Sequence, residues 1–448
     1  MEARLSIKYI EMNTVKIIIV CVYFLPLSFI YAQDVKEPTK KIEYPELKKN
    51  LNESGNHYIK ATIVGQFWSR YTDFNPGTTL YGYKNQSPFD IGIRRIRFNF
   101  MAQVTDRIFF YTQFGQNNFN FTSKLNTGAF IHDIVGEYRV HTTKITFGTG
   151  LSGWSGLTRF SAPAAGSILG VDAPLYQQVT NGLNDQFLRK LSIYAKGQIG
   201  KIDYRFALSN PMTYQSGTTQ VKINSSSSSF SLRPPQIQTQ GYVSYQFFDK
   251  ENNTLAYMTG TYHGKKKILN VGAGWIQQQK ALWHLGSAGD TINDNMTLFG
   301  ADVFMELPLS EKRNAITTYV AFTDYQMGKN YIRNVGVMNP STIGGNVVPL
   351  IGTGQTLFTQ VAYKFKDGLL PEQGSFQVYA TAQISKYQAL KDHMMLYEGG
   401  VNWLINGDHH SKLTLSYQSR PIFSIDSNGN NVTNTRKGMA VLQYQIAL

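Results

Sequence analysis

Two arginines, Arg95 and Arg97, stand two residues apart in the segment IGIRRIRFNFMAQV (91–104), where Ile96 and Phe98 alternate with them. Strict alternation of polar and apolar residues is typical of a β-strand with two different faces. We therefore expect both guanidinium groups on one face, as a two-step ladder. Fixed positive charges in a narrow, partly desolvated gap attract anions directly. The chemistry that this spacing suggests is anion selection.

Other charged residues fall on the corresponding predicted faces of further strands or within one long polar loop, 152–186. On strands these are Arg70, Lys190, Lys196 and Arg205, and in the loop they are Arg159 and Asp172. We expect the loop to fold inward and Asp172 to hold Arg159 against the wall. Two alternatives stay open. Each cation pairs with a carboxylate such as Asp133, Glu137 or Asp203 and stiffens the wall, or the cations contact lipopolysaccharide near a rim.

The elements that would position these residues are alternating runs of about 10 residues, which recur from His57 to the end of the chain. Connections of two lengths separate them. Short turns are predicted at 105–107, 141–143, 200–201, 308–313, 366–374 and 406–410, and long polar loops at 72–88, 117–129, 152–186, 210–235, 279–294, 325–352 and 421–436. This asymmetry is typical of a membrane barrel with short periplasmic turns and long extracellular loops, whereas a soluble sandwich has no reason to keep it.

Strand parity gives a count for this barrel. All alternating runs together give 17, but bacterial single-chain barrels have even numbers of strands. If Leu255–His263 is a periplasmic excursion, the count becomes 16, and 18 is the alternative. The fold class predicted is therefore all-β, a transmembrane antiparallel barrel of about 16 strands. Its last strand would be Met439–Leu448, where apolar residues again alternate with polar ones.

The N-terminus indicates export. Lys16, an apolar run over 17–30 and Ala32 form the pattern of a secretory signal peptide, so we expect residues 1–32 to be removed. Cleavage would remove Cys21, the only cysteine, and leave a net charge of +13, because the segment holds three basic and two acidic residues. A flexible periplasmic leader is predicted at 33–55, followed by the barrel at 56–448. The expected location is the outer membrane, with lipid and lipopolysaccharide as partners.

Signals for other functions are weak. The sequence has no HExxH, GxSxG or Walker pattern, and its histidines are scattered apart from His409-His410. Adjacent histidines on a strand point to opposite faces, which is poor geometry for a metal. No compact basic and aromatic module for nucleic acid is visible. We therefore predict no enzymatic activity, no cofactor, no metal and no nucleic-acid partner.

Three segments carry a family resemblance: IGIRRIRFNFMAQVTDRIFFYTQFG (91–115), GTGLSGWSGLTRFSAPAAGSILGVDAPLYQQ (148–178) and GMAVLQYQIAL (438–448). They resemble porins of Bacteroidetes related to the phosphate-selective porin O/P family. The resemblance implies a 16-stranded diffusion porin, often a homotrimer, with its third loop folded into the lumen. It implies passage of small anionic or neutral solutes. The family's phosphate site does not map onto this chain residue by residue.

Two functions from different classes remain open. The first is an outer-membrane porin for small hydrophilic solutes with a moderate bias to anions, phosphate being one candidate. The second is a plugged barrel that serves as a binding or scaffold component of an envelope complex. Ion conductance separates them, because a plugged lumen passes no current.

Overall fold

A computed structural model describes residues 46–84, 89–154, 156–178, 189–211, 227–231, 236–341, 344–369, 374–405 and 407–448. The predicted signal peptide (1–32) and most of the predicted leader lie outside these residues. The end of the leader is a short strand that pairs with the first strand of the barrel. No helix among the described residues is both long and apolar enough to cross a membrane.

The regular secondary structure of the described residues is almost all β-strand. Its strands are β1 Leu47–Asn50, β2 Tyr58–Thr72, β3 Thr79–Leu80, β4 Tyr83–Lys84, β5 Phe89–Gln103, β6 Ile108–Phe119, β7 Phe130–His141, β8 Ile145–Ser152, β9 Lys190–Ile199, β10 Ile202–Asn210, β11 Ser229–Phe230, β12 Gln238–Gln246, β13 Ile268–Leu285, β14 Thr291–Pro308, β15 Ala315–Gln326, β16 Ile332–Val335, β17 Val348–Gly352, β18 Gly354–Lys364, β19 Ser375–Tyr387, β20 Met394–Leu404, β21 Ser411–Ile425 and β22 Asn431–Ala447. Three short 3₁₀ turns, Arg159–Ser161, Ala165–Ser167 and Leu175–Gln177, lie between β8 and β9.

Antiparallel pairing closes the sheet into a barrel. Consecutive wall strands pair along the chain, and β22 returns to β2 in a register that runs from Val64↔Ala447 to Thr72↔Met439. The closed ring contains 16 strands. Two further short strands lengthen the wall at its rims, where β1 pairs with β2 and β11 pairs with β13. The predicted fold class and the preferred strand count are confirmed. Closure matters because it leaves no long unpaired edge in the wall.

The two faces of the wall differ as the alternation predicts. In β14, Phe299 and Val303 on the outer face are 48% and 39% exposed, whereas Asp302 and Glu306 on the inner face are 4% and 0% exposed. Each of the 16 wall strands carries at least one large, exposed apolar side chain on its outer face. The outer surface is therefore an apolar band, which is the surface that a lipid bilayer favours.

The connections differ in length between the two ends of the barrel. The structure corrects the prediction for two of the long loops. The short-turn end holds both chain ends of the barrel, and the long-loop end holds the connections 73–88, 153–189, 211–237 and 327–353. The predicted long loops 279–294 and 421–436 are wrong, because β13–β14 and β21–β22 extend into them and leave only the turns 286–290 and 426–430. Polar sequence there reflects strands that rise beyond the apolar band.

Among the described residues, three segments fill the barrel interior. The first infolded segment (153–154 and 156–178) and the third (327–341 and 344–353) enter from the long-loop end, and the second (247–267) enters from the short-turn end. The second contains Leu255–His263, which is not a wall strand, in agreement with the count of 16. It is not a periplasmic excursion, however, because its Ala256 and Met258 are buried inside the barrel.

The filled interior covers the polar wall. Side chains from the first and third segments, among them Leu157 and Leu350, join wall residues in one large apolar cluster. Inward-facing wall residues such as Gln377, Asn402 and Gln443 have no exposed area. A wide water-filled lumen would leave these side chains accessible, so the described interior is packed rather than open.

Candidate functional site

The central feature of the inner wall is a β-bulge at Arg94. The pairing of β5 with β2 passes from Gln66↔Arg95 directly to Phe67↔Ile93, which leaves Arg94 as the extra residue. A bulge breaks the alternation of faces, so Arg94 and Arg95 both point inward and both are fully buried. Arg94 is not among the wall residues predicted from the sequence. A signal was present, since strict alternation across Arg94-Arg95 would leave one guanidinium in lipid.

Asp172 of the first infolded segment binds both of these arginines. Arg94 donates to it through Nε (2.9 Å to Oδ2) and Nη2 (3.1 Å to Oδ1), and Arg95 also donates to Oδ1. The guanidinium of Arg94 also lies over the ring of Trp68, with its Cζ 5.5 Å from the ring centroid. The expected contact between Asp172 and Arg159 is wrong, because Asp172 pairs with Arg95 and with Arg94, which the bulge turns inward, whereas Arg159 pairs with Glu251.

Arg159 instead binds the second infolded segment. Its Nη1 and Nη2 each donate to a carboxylate oxygen of Glu251 at 2.6 Å, and Nη2 also donates to the carbonyl of Thr259 at 2.7 Å. The guanidinium lies against the ring of Phe304, 3.7 Å from its centroid. Burial works to raise the pKa of Glu251, but the charge and hydrogen bonds of Arg159 outweigh it and keep that pKa below the usual value.

Arg70 anchors the third infolded segment to the wall. It forms an ion pair with Asp90 (Nε to Oδ1, 2.6 Å) and donates to the backbone carbonyls of Val337 (2.7 Å) and Met338 (2.5 Å). Its side chain is only 2% exposed. Asn346 Nδ2 also donates to the Val337 carbonyl (2.8 Å) and Asn120 Nδ2 to the Met338 carbonyl (3.0 Å), so Arg70 adds a charged donor to buried backbone oxygens that the loops themselves already bind.

The remaining predicted cations also face the interior and are buried. Lys196 pairs with Glu137 at 2.9 Å, and Lys190 donates to Gln238. Arg205 donates to the carbonyl of Ala256 at 2.9 Å. Arg97 donates to backbone carbonyls of Ile96 and Gln116 and to Asn117, and Arg189, which was not predicted, pairs with Asp133 at 2.9 Å. The structure thus brings the predicted residues to one wall but in contact with several different partners.

This pattern favours the pairing alternative over free charges. Five interior carboxylates engage buried cations in ion pairs: Asp90, Asp133, Glu137, Asp172 and Glu251. Lys190 and Arg205 are in no ion pair with a described carboxylate. Among the described interior residues of this wall, cations therefore outnumber carboxylates, and the field that remains is positive.

An apolar cavity lies beside Asp172 and Trp68, between the first and third infolded segments and strands β18–β22. Val171, Val337, Leu350, Phe358 and Leu396 line it together with Trp68, while Asp172, Gln360 and Glu398 supply polar groups. Cavities with mostly apolar walls and a few placed polar groups are typical of small-molecule sites.

The described residues give little support for a catalytic site or a metal site. They contain no group of three or more His, Cys, Asp or Glu side chains arranged to hold a metal ion. His409 packs against His263 with ring centroids 4.0 Å apart and the ring planes tilted by 33°, and it contacts the carbonyl of Thr261 through Nε2 at 2.9 Å. Burial and the charge of Lys412 lower the pKa of His409 to about 3, so this pair is neutral at ordinary pH.

Comparisons with known proteins give neither a family model nor a curated protein that matches this sequence. Solved structures do match. A triple mutant of the Rhodopseudomonas blastica porin has 11% identity and a TM-score of 0.47, with 87% of this chain and 100% of that chain covered. Outer-membrane-expressed OmpT of Vibrio cholerae has 8% identity and a TM-score of 0.44, with 88% and 98% covered. OmpT described as a trimer form has 9% identity, a TM-score of 0.45, and coverage of 87% and 99%. At these values the barrel assignment rests on this chain's own strand pairing.

Proposed function

We propose that the protein is an outer-membrane channel with a narrow, restricted path for small hydrophilic solutes. The observation that carries the proposal is the closed 16-stranded ring with an apolar outer face on every strand and charged residues inside. Such a surface is stable only where lipid surrounds it. The partners proposed are therefore outer-membrane lipid and lipopolysaccharide, after export by the signal peptide at 1–32.

The path is restricted because three infolded segments occupy the interior. Ion pairs hold the first segment to the wall and to the second, through Asp172 and Arg159. Passage then needs either a gap beside these segments or a shift of one of them. We expect a small conductance rather than that of a wide diffusion pore.

A moderate preference for anions is part of the proposal. Its support is the excess of cations over carboxylates along the inner wall of β5–β10, where Lys190 and Arg205 add charge without a paired carboxylate. Positive charge along a narrow path favours anions in the path over cations. Because most arginines are paired, the bias is expected to be moderate, and phosphate is one anion to test.

A second candidate function is a plugged barrel that binds another envelope component. The packed interior favours it, since inner-wall residues such as Asn402 and Gln443 have no exposed area. A homotrimer belongs to the channel proposal on the strength of the family resemblance alone, because an outer apolar face meets lipid and a neighbouring subunit equally well.

Planar-bilayer recording of the purified protein under a KCl gradient tests the proposal. The reversal potential should favour chloride, and Arg95→Ala/Arg97→Ala should weaken that preference. The matched control is Arg107→Ala/Lys201→Ala, which removes two charges from exposed turns. Conduction without a preference for chloride would contradict the anion selectivity and leave an unselective channel. Absence of any current would overturn the channel proposal in favour of the plugged barrel.

A further inference from the structure

The barrel wall contains a seam between β20 and β21. Pairing of these strands runs from Leu404↔Lys412 to Tyr397↔Ser419. Beyond that point β20 continues to Met394, paired only with β19 among the described strands, and β21 continues to Ile425, paired only with β22. Pro421, which cannot donate a ladder hydrogen bond, lies where the two strands part. Neighbouring wall strands thus separate over the last part of their length.

The seam is a bounded window rather than an open edge. At the end of the window away from the paired part of β20 and β21, the turn between β19 and β20 contacts β22. Lys391 N donates to the carbonyl of Asn431 (3.0 Å), and Thr433 N donates to Asp392 Oδ2 (2.8 Å). At its other end the window stops beside Tyr397, which is 40% exposed on the outer face. Exposed tyrosines are enriched at the level of lipid head groups, so the window opens near that interface.

One side chain closes the window from outside. Arg436 of β22 donates through Nη2 to the carbonyls of Met395 and Ser419, each at 2.8 Å, and its guanidinium lies 5.0 Å from the ring of Tyr397. Backbone groups at a gap in a barrel wall need partners, because lipid supplies none. Here a solvent-exposed side chain provides them instead of a neighbouring strand, and a side chain is displaced far more easily than a strand.

The window leads into the apolar cavity. Leu396 of β20 lines that cavity, and both Leu396 and Phe423 of β21 pack against the interior apolar cluster. Val337, Phe358 and Trp68 also line the cavity, and Trp68 lies on β2, which pairs with β22 and so is two strands from β21. A chain of methylene groups is the chemistry that such walls favour, since each buried CH₂ contributes about 0.8 kcal/mol.

We propose that this cavity, about 80 Å³ in volume, binds the end of the apolar chain of a single-chain amphiphile, whose remaining methylene groups lie in the β20–β21 window and whose anionic head group is held at Arg436. Glu398 and Asp172 line the cavity, so an anionic group is disfavoured inside and the head stays at the positive side chain outside. The proposal rests on the membrane barrel proposed above and does not depend on ion conduction.

Tryptophan fluorescence tests this site, because bromine on an acyl chain quenches only nearby indole rings. The mature full-length protein in non-brominated lipid nanodiscs is titrated with 11-bromoundecanoate. We expect a saturable fraction of quenching that disappears in Trp68→Phe and persists in Trp275→Phe, whose indole is 40% exposed on the outer wall. Absence of a saturable fraction in the wild type, or its loss only in Trp275→Phe, would overturn the proposal.

Two further variants address the window. Leu396→Phe places a larger ring at its mouth without adding an indole and is expected to abolish the saturable fraction while Trp68 remains in place. Arg436→Ala is expected to weaken binding at least five-fold, about 1 kcal/mol by the conversion of 1.4 kcal/mol per ten-fold, whereas its neighbour control Lys437→Ala is not. Equal binding in Arg436→Ala and the control would refute the head-group contact.

Ion conductance of the same preparation separates the two proposals. Saturable quenching without current removes the channel and supports the amphiphile site in a plugged barrel. Current without Trp68-dependent quenching supports the channel and removes the amphiphile site.

Discussion

Arg159 and Glu251, which are 92 residues apart in the chain, form a two-pronged ion pair with both N–O distances at 2.6 Å. Arg159 belongs to a segment that enters the barrel from the long-loop end, and Glu251 to one that enters from the short-turn end. The pair therefore links the first and second infolded segments across the interior. Each side chain is almost fully buried, with 1% and 6% of its surface exposed.

Removal of one partner should cost far more than removal of both. Glu251→Gln leaves the Arg159 charge buried, a change that typically costs about 3–5 kcal/mol. We expect a lower heat-modification midpoint in gels and larger, more frequent openings in bilayer recordings. Arg159→Met/Glu251→Leu should recover most of the loss. The control is Glu46→Gln, which breaks an exposed pair with Lys60 and should leave the midpoint unchanged.

Asp172 should limit anion preference, because it neutralises part of the charge of Arg94 and Arg95. Asp172→Asn keeps the size of the side chain and removes its charge. We expect the reversal potential in a KCl gradient to move further toward chloride. Asp106→Asn removes a charge from an exposed turn and serves as the control. An unchanged potential in Asp172→Asn would mean that ions do not pass this cluster.

Close approach of the first infolded segment to the wall depends on Gly300. A Cβ at this position would lie 2.6 Å from Thr158 Cγ2 and 2.8 Å from the Leu157 carbonyl oxygen. Gly300→Ala should displace the segment and cost about 1–3 kcal/mol, as overpacking usually does. Gly136→Ala on β7 is the matched control, since its Cβ would meet nothing within 4 Å. Equal midpoints for the two variants in heat-modification gels would contradict this contact.

We expect low pH to destabilise the short-turn end of the barrel through protonation of His409. Its pKa in the folded protein, about 3, lies below that of an ordinary histidine, so the unfolded chain binds more protons between about pH 6.5 and 3. Stability is therefore full above this window and falls as the pH decreases through it. The charged and titratable groups around the histidine pair are Lys265, Glu306, Lys364, Asp408, His410 and Lys412.

The measurement for this prediction is the heat-modification midpoint at about pH 7.5 and about pH 4.5. We expect it to fall at the lower pH in the wild type and to fall less in His409→Gln, which cannot gain the buried charge. His141→Gln alters an exposed histidine and should retain the full pH dependence. An equal fall of the midpoint in His409→Gln and the wild type would contradict a role for His409 in the acid response.

The sequence by itself determined the fold class. Alternation within a strand is a local property, because neighbouring residues must face opposite sides whatever the rest of the chain does. Runs such as 91–104 therefore identify the wall, and the even-number rule excluded Leu255–His263 as a strand. The inward direction of Arg95 and Arg97 follows from the same local pattern, whereas their role in ion selection stays a prediction.

Only the tertiary structure decided what fills the barrel and which charges meet. Asp172 binds Arg94 because a bulge, set by the pairing of β5 with β2, turns that residue inward. Arg159 finds Glu251 because two distant connections fold toward each other. Neither event leaves a periodic trace in the sequence, since each depends on contacts between residues far apart in the chain. Burial then strengthens these contacts, because a charge inside a packed interior is costly unless an ion pair or hydrogen bonds compensate it.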